Sequence, residues 1–208
     1  VARQTRQRIL DASLAMFNAQ GEPNVTTNHI ADELEISPGN LYYHFRNKDD
    51  IIEHLFGRYE ERIDTALGAP EGRLPGLEDI WLQLHQVFEC IWDYRFLYRD
   101  LANILSRNRR LRIRFARILR RADEQTHTVM RGLSQGGVMR ASADELDAAA
   151  TNVLVIATFW LNYASARGDK DEQASIRAGI VQVMMLLAPF LRDAERVHLN
   201  TLTRAYID

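Results

Sequence analysis

The sequence predicts an all-α fold, and three observations carry that expectation. Apolar residues recur at a period near 3.6 through most of the 208 residues. No stretch alternates polar and apolar residues between turn signals, as a half-buried strand would. Glycine and proline are scarce, 11 and 5 in number, and they cluster, which leaves long uninterrupted segments for helices.

In the first segment Ile9, Leu10, Leu14 and Phe17 form one stripe, and Gly21 ahead of Pro23 stops it. Thr26 or Thr27 can cap a second helix whose inner face is Ile30, Ala31 and Leu34. A turn at Glu35-Ile36-Ser37 leads to a third helix with Ser37 as N-cap, Pro38 at its first position and Leu41 and Phe45 inside. Asn47 then caps a fourth, with Asp49 and Asp50 in the first turn, where the helix dipole favours carboxylates. Its inner face is Ile51, Ile52, Leu55, Phe56, Tyr59 and Ile63. Residues 68–76, with three glycines and two prolines, read as a linker. Periodic runs cover 77–105, 145–164 and 176–191. The last two are apolar on more than one stripe and need two packing partners, either a second subunit or further helices of a monomer.

Composition excludes several classes. The single Cys90 rules out an internal disulfide and an all-cysteine zinc site, and fits a reducing cytoplasm. The start, Val1-Ala2-Arg3-Gln4, has no signal-peptide character, and no apolar run reaches the ~18 residues of a membrane span, so no membrane partner is expected. Basic and acidic residues number 26 and 28, for a net charge of −2, and all the basic ones are arginine except Lys48 and Lys170. Residues 1–104 hold 10 basic and 17 acidic side chains, net −7, whereas 105–208 hold 16 and 11, net +5. Charge alone would place a nucleic-acid contact in the second half.

Local pattern points elsewhere. The third helix leaves Asn40, Tyr42, Tyr43 and His44 on or near its outer faces, and Ser37 to Lys48 contains no acid. A short two-helix unit whose second helix is polar, aromatic and cationic suits a helix-turn-helix. Its hydroxyls, imidazole and ammonium can donate to phosphates, Gly39 lets a backbone approach, and Asn40 can reach a base edge. Arg3, Arg6 and Arg8 add charge ahead of the first helix, for flanking backbone or minor groove if not simply solvated.

The string Ile30-Ala31-x-x-Leu34…Ser37-Pro38-Gly39-x-Leu41-Tyr42-x-His44-Phe45-x-x-Lys48, preceded by Arg8-Ile9-Leu10-Asp11-Ala12-Ser13…Phe17, resembles the signature of the TetR family of bacterial transcriptional regulators. The resemblance covers about the first 48 residues; the rest matches in length and helicity. It implies a helix-turn-helix DNA-binding head followed by an antiparallel helical effector and dimerisation bundle. It further implies a cytoplasmic repressor that binds a pseudo-palindromic double-stranded operator as a homodimer and is released by a small-molecule effector. By the same resemblance Thr27, Ser37, Gly39, Tyr42, Tyr43, His44 and Lys48 contact mainly phosphates, and Asn40 reads a base. Glu35 occupies a turn position often held by glycine in the family. If that turn needs positive φ, the side chain costs roughly 1 kcal/mol.

Residues 1–46 are thus the expected head, 47–67 a connecting helix and 68–208 the effector and dimer domain, paired through 145–164 and 176–191. Trp81, Phe88, Trp92, Phe96 and Phe115 are candidates for an effector pocket, though such a stripe can equally be core. Tyr94 to Leu101, with Gly21 to Val25, resembles a TetR subgroup linked to polyhydroxyalkanoate and fatty-acid metabolism, which suggests an apolar or anionic effector such as an acyl derivative. Arg107, Arg110, Arg114, Arg117 and Arg121 step by three and four along one face. They form either a solvated amphipathic surface or the entrance for an anionic effector.

The competing class is a ligand-binding helical protein or a metal-dependent bundle enzyme without regulatory DNA binding. Glu124-x-x-His127 and Glu195-x-x-His198 have the spacing of di-iron carboxylate ligands, but no inward glutamates complete the set. No glycine-serine elbow, phosphate loop or dinucleotide fingerprint is present. No catalytic residue, metal or cofactor is therefore expected.

Overall fold

The computed structural model of the chain describes residues 2–68, 72–169, 171–204 and 206. These contain eleven α-helices and no strand beyond one isolated antiparallel bridge between Met139 and Leu191. In chain order α1 is Ala2–Gln20, α2 Thr27–Glu33, α3 Pro38–His44, α4 Lys48–Ala66, α5 Leu77–Asp93 and α6 Arg95–Arg99. They are followed by α7 Leu101–Arg107, α8 Arg109–Gln135, α9 Ala143–Ala166, α10 Glu172–Leu187 and α11 Asp193–Arg204. Of the expected linker, residues 69–71 lie outside the described residues, as does Lys170.

The chain forms two compact units, Val1–Arg62 with Asp93–Phe115 and Ile63–Trp92 with Ala116–Asp208. The first unit therefore extends well past the expected head at 1–46. Its core joins Ile9, Leu10 and Phe17 of α1 to Ile30 and Ala31 of α2, Leu41 of α3 and Ile51, Ile52, Leu55, Phe56 and Tyr59 of α4, all buried. Removing each large apolar side chain from water contributes about 1.5–3 kcal/mol. Phe96 of α6 packs against Phe17 with ring centroids 5.2 Å apart. That contact is one reason the 93–115 stretch belongs with the head.

Two sequence expectations change here. The periodic run at 77–105 is not one helix: it breaks at Tyr94 and again at Asp100. Asn18, buried at the end of α1, accepts from the Phe96 N–H at 3.1 Å and donates to the Asp93 carbonyl at 2.8 Å. Those are groups that a continuous helix would satisfy internally, so a remote amide side chain offsets the break. Secondly, Arg3, Arg6 and Arg8 lie within α1 rather than ahead of it, in a stretch with no glycine or proline to delay the helix.

In the second unit α9 begins with a capping box between Ser142 and Glu145, and α10 packs along it. Leu146, Ala150, Val153, Leu161 and Ala164 of α9 are buried, as are Ile176, Ile180, Val183, Met184 and Leu187 of α10. Gly179 allows a close approach. A Cβ there would lie 2.6 Å from a ring carbon of Phe88 and 2.7 Å from one of Trp160. The Trp160 indole N–H donates to the Ser175 carbonyl at 2.6 Å. Contrary to the count of apolar runs, Glu172–Phe190 is long and apolar enough to cross a membrane by length and composition, with a mean hydropathy of 1.3. Its packing along α9 gives that hydropathy a core role.

Candidate nucleic-acid interface

The helix-turn-helix is built from local rules that agree with one another. Thr26 caps α2: its hydroxyl accepts from the His29 N–H at 3.2 Å, and the His29 ring accepts from the Thr26 N–H at 3.4 Å. At the other end the Glu35 N–H reaches Asp32 O at 3.1 Å and the Ile36 N–H reaches Ala31 O at 3.0 Å. This is a Schellman turn, and it requires the left-handed residue at its centre. Glu35 supplies it at φ 54°, the positive φ anticipated for that position. Ser37 caps α3 by accepting from the Asn40 N–H at 3.2 Å, with Pro38 in the first turn.

Leu41 and Phe45 are buried, which fixes the rotation of α3 and turns Asn40, Tyr42 and Tyr43 outward. Tyr43 is 79% exposed. Tyr42 is half exposed and shares a 3.0 Å hydrogen bond with the Thr27 hydroxyl, which ties the outer faces of α2 and α3 together. His44 is partly buried, its ring edge-on to Tyr43 at 5.1 Å. Gly39 is exposed, and an added Cβ would meet only the Ser37 hydroxyl oxygen, at 3.9 Å. Its interior neighbours do not demand glycine.

Lys48 is placed differently from its neighbours in the motif. Its ammonium lies 2.8 Å from Oε1 of Glu22 and donates to the carbonyls of Glu22 and Val25 at 3.0 and 2.9 Å. Glu22 is a fully buried carboxylate that the sequence pattern did not single out. Arg107 Nη2 is 2.7 Å from the same oxygen, and Arg107 Nε is 3.4 Å from Asp49. Burial pushes the Glu22 carboxyl up, but the close approach of the Arg107 and Lys48 cations outweighs it and holds the group below its ordinary value.

The arginine face also has a definite arrangement. Arg107 ends α7 and the other four lie on α8. In the first unit Arg110 pairs with Glu53 at 3.3 Å, and Arg114 holds Glu60 through Nε and Nη2 at 3.1 and 2.6 Å while lying over the Phe56 ring. In the second, Arg121 pairs with Asp64 at 2.8 Å. The acids are all on α4, so a negative helix from the first half of the chain meets the positive helix of the second. This is a third arrangement beside the solvated face and the anion entrance.

The five aromatic pocket candidates are divided between the two units. Phe96 and Phe115 are buried in the first, Phe115 within 6.5 Å of the Phe56 ring and 6.3 Å of the Tyr98 ring. Phe88 fills the space over Gly179 in the second, Trp81 stacks on His85 at 5.9 Å and Trp92 is partly buried. The sequence reading missed a buried polar pair in the first unit, the hydroxyls of Tyr59 and Tyr98 at 2.7 Å, surrounded by the Phe56, Tyr94 and Phe115 rings. His127 pairs with Asp147 at 3.1 Å and His198 with Glu78 at 3.6 Å. Among the described residues no three His, Cys, Asp or Glu side chains are grouped so as to hold a metal ion.

An all-helical chain with an outward recognition helix defines a helix-turn-helix protein. The match to known families is specific: residues 9–55 fit the bacterial regulatory proteins of the tetR family, and residues 58–199 fit the bacterial transcriptional repressor family TetR. The chain belongs to the TetR family. It is similar to a TetR-family transcriptional regulator from Marinobacter aquaeolei VT8, at 38% identity and a TM-score of 0.88 over 97% of this chain and 98% of that one. It is also 36% identical over 109 residues to the transcriptional repressor KstR2 of Mycolicibacterium smegmatis, covering 49% of this chain and 51% of KstR2. The chain spans about half the length, or less, of the curated relatives it matches. A regulator from Saccharomonospora viridis, solved in complex with choline, shares the fold at a TM-score of 0.64 and 20% identity over 97% of this chain and 96% of that one.

Proposed function

We propose that this chain is a one-component transcriptional repressor. It binds a pseudo-palindromic operator as a homodimer and releases it when a small molecule occupies the helical domain. One observation carries the reading: a rigidly capped α3 presents Asn40, Tyr42 and Tyr43 to the outside from a surface with no acid between Ser37 and Lys48. Thr27, Ser37, Tyr42, Tyr43 and His44 can donate to phosphates. Gly39 supports a close approach from outside, because nothing inside the protein requires the missing Cβ. Asn40 has the amide that pairs bidentately with adenine.

The exposed Val155, Phe159 and Tyr163 of α9, one turn apart, support the homodimer. A lone cysteine that is buried, with no second cysteine for an internal disulfide, supports a cytoplasmic site of action, and the regulator reading assigns the chain no enzymatic role. For the effector, the choline complex of the Saccharomonospora relative supports a small organic ligand. The buried Tyr59–Tyr98 hydroxyl pair among aromatic rings supports one with an apolar body and a polar group. Release is then a shift between two dimer states that differ in operator affinity.

Gel-shift titrations with DNA from upstream of the protein's own gene test the reading. Binding is expected to weaken steeply with salt. Asn40→Ala should cost roughly 1–3 kcal/mol and relax sequence preference at one base pair per half-site. Binding that is indifferent to both salt and Asn40 would remove the operator from the function.

A further inference from the structure

The sequence resemblance assigns Lys48 to a phosphate, but its ammonium is already occupied. An ammonium has three donors. Here they face Glu22 Oε1 at 2.8 Å and the Glu22 and Val25 carbonyls at 3.0 and 2.9 Å. The side chain is only 25% exposed, and that of Glu22 is fully buried. Neither carboxylate oxygen of Glu22 has a hydrogen bond of ordinary alignment, so its charge is compensated by the close approach of Lys48 and Arg107. Turning Lys48 out to a phosphate would strip the Val25 carbonyl of its donor, leave the Glu22 carbonyl only the Val25 N–H at 3.3 Å, and leave a buried carboxylate one cation short. Breaking a buried ion pair from one side is the costly case.

We propose that Lys48 serves operator binding as a positioning residue that acts through Glu22, not as a phosphate contact. Together with Arg107, these residues clamp the corner between α1 and α2 to the start of α4 and the end of α7. The recognition helix α3 lies between α2 and α4, so the clamp ties the two helices that flank it, α2 through its preceding corner and α4 through its first residue. The same corner is held by a further bond, from the Glu22 N–H to Asp100 at 3.2 Å. This inference rests on the operator-binding reading and makes a different prediction from it.

The test measures operator affinity of the full chain as a function of KCl for the unsubstituted protein, Lys48→Met, Lys48→Arg, Glu22→Gln and the Glu22→Gln/Lys48→Met double variant, with folding checked by circular dichroism. A lost phosphate contact lowers the slope of log K against log salt by about 0.9, and arginine would replace it. The clamp predicts an unchanged slope and a loss on the order of tenfold at every salt concentration. It also predicts that arginine, too large for a seat of three acceptors, fails to restore affinity. Glu22→Gln should weaken binding without touching any phosphate, and the double variant should be little weaker than Lys48→Met. If Lys48→Met does not fold, Lys48→Arg and Glu22→Gln decide the matter. A slope drop near 0.9, full affinity in Lys48→Arg or full affinity in Glu22→Gln would overturn the proposal. Absence of salt-dependent binding by the unsubstituted protein would instead defeat the operator reading, and this inference with it.

Discussion

At Glu35 the backbone takes φ 54° so that two consecutive N–H groups can close the end of α2. A side chain in that region is strained by about 1 kcal/mol, against which glycine loses some entropy on folding. Glu35→Gly should therefore raise the unfolding free energy by roughly 0.5–1 kcal/mol, seen as a higher urea midpoint; a lower midpoint would mean the Glu35 side chain has a stabilising contact that outweighs the strain. Glu22 carries the opposite balance, a favourable ionised form in a costly place. Its carboxyl titrates lower in the folded protein than in the unfolded chain, so its stabilisation is complete above about pH 4.5 and is lost as pH falls through the folded value. Glu22→Gln is expected to be less stable than the parent at pH 7 and to lose less stability as pH falls below about 4.5, so that the two curves converge in acid. Parallel curves would exclude Glu22 from the acid limb.

Helices were legible in the sequence wherever period and cap agreed. The boundaries of α2, α3 and α4 follow from Thr26, Ser37, Pro38 and Asn47, because capping is a local interaction between residues three apart. The break between α5 and α6 has no such signature. Its backbone groups are satisfied by Asn18, 75 residues away from Asp93 in sequence, and no periodicity reports that. The outward face of α3 was readable for the same local reason as its cap, whereas the seat of Lys48 depends on a buried Glu22 that sequence alone would place on a surface. Close packing of helices follows the same divide, since Gly179 looks like a weak point in α10 until Phe88 and Trp160 are set beside it. Alanine would gain about 1 kcal/mol of helix propensity there. Overpacking against two rings costs about 1–3 kcal/mol, so Gly179→Ala should lower stability by up to roughly 2 kcal/mol in denaturant titration. A stabilised variant would show that the rings can move aside.

On the scale of the whole molecule, the sum of charges and the local pattern point to different places for the proposed DNA contact, and the ion pairs explain why. The first half is net −7 because α4 and its neighbours are acidic, and four of those acids, Asp49, Glu53, Glu60 and Asp64, pair with arginines from the positive half. The excess of each half is thus largely spent on the other, and the short acid-free segment from Ser37 to Lys48 is left as the local site for a polyanion. A segment that short neutralises few phosphates, so affinity must come from two heads acting together. On the proposed function, operator binding then depends on the exposed α9 stripe of Val155, Phe159 and Tyr163, each about half exposed in the single chain. Phe159→Asp would bury a carboxylate in an apolar dimer interface and should yield a folded monomer by sedimentation. With the second head no longer tethered, its effective concentration vanishes, and operator affinity should fall by roughly 100-fold or more while helicity is retained. A Phe159→Asp protein that stays dimeric and binds normally would place the dimer interface on another face and leave the α9 stripe without that role.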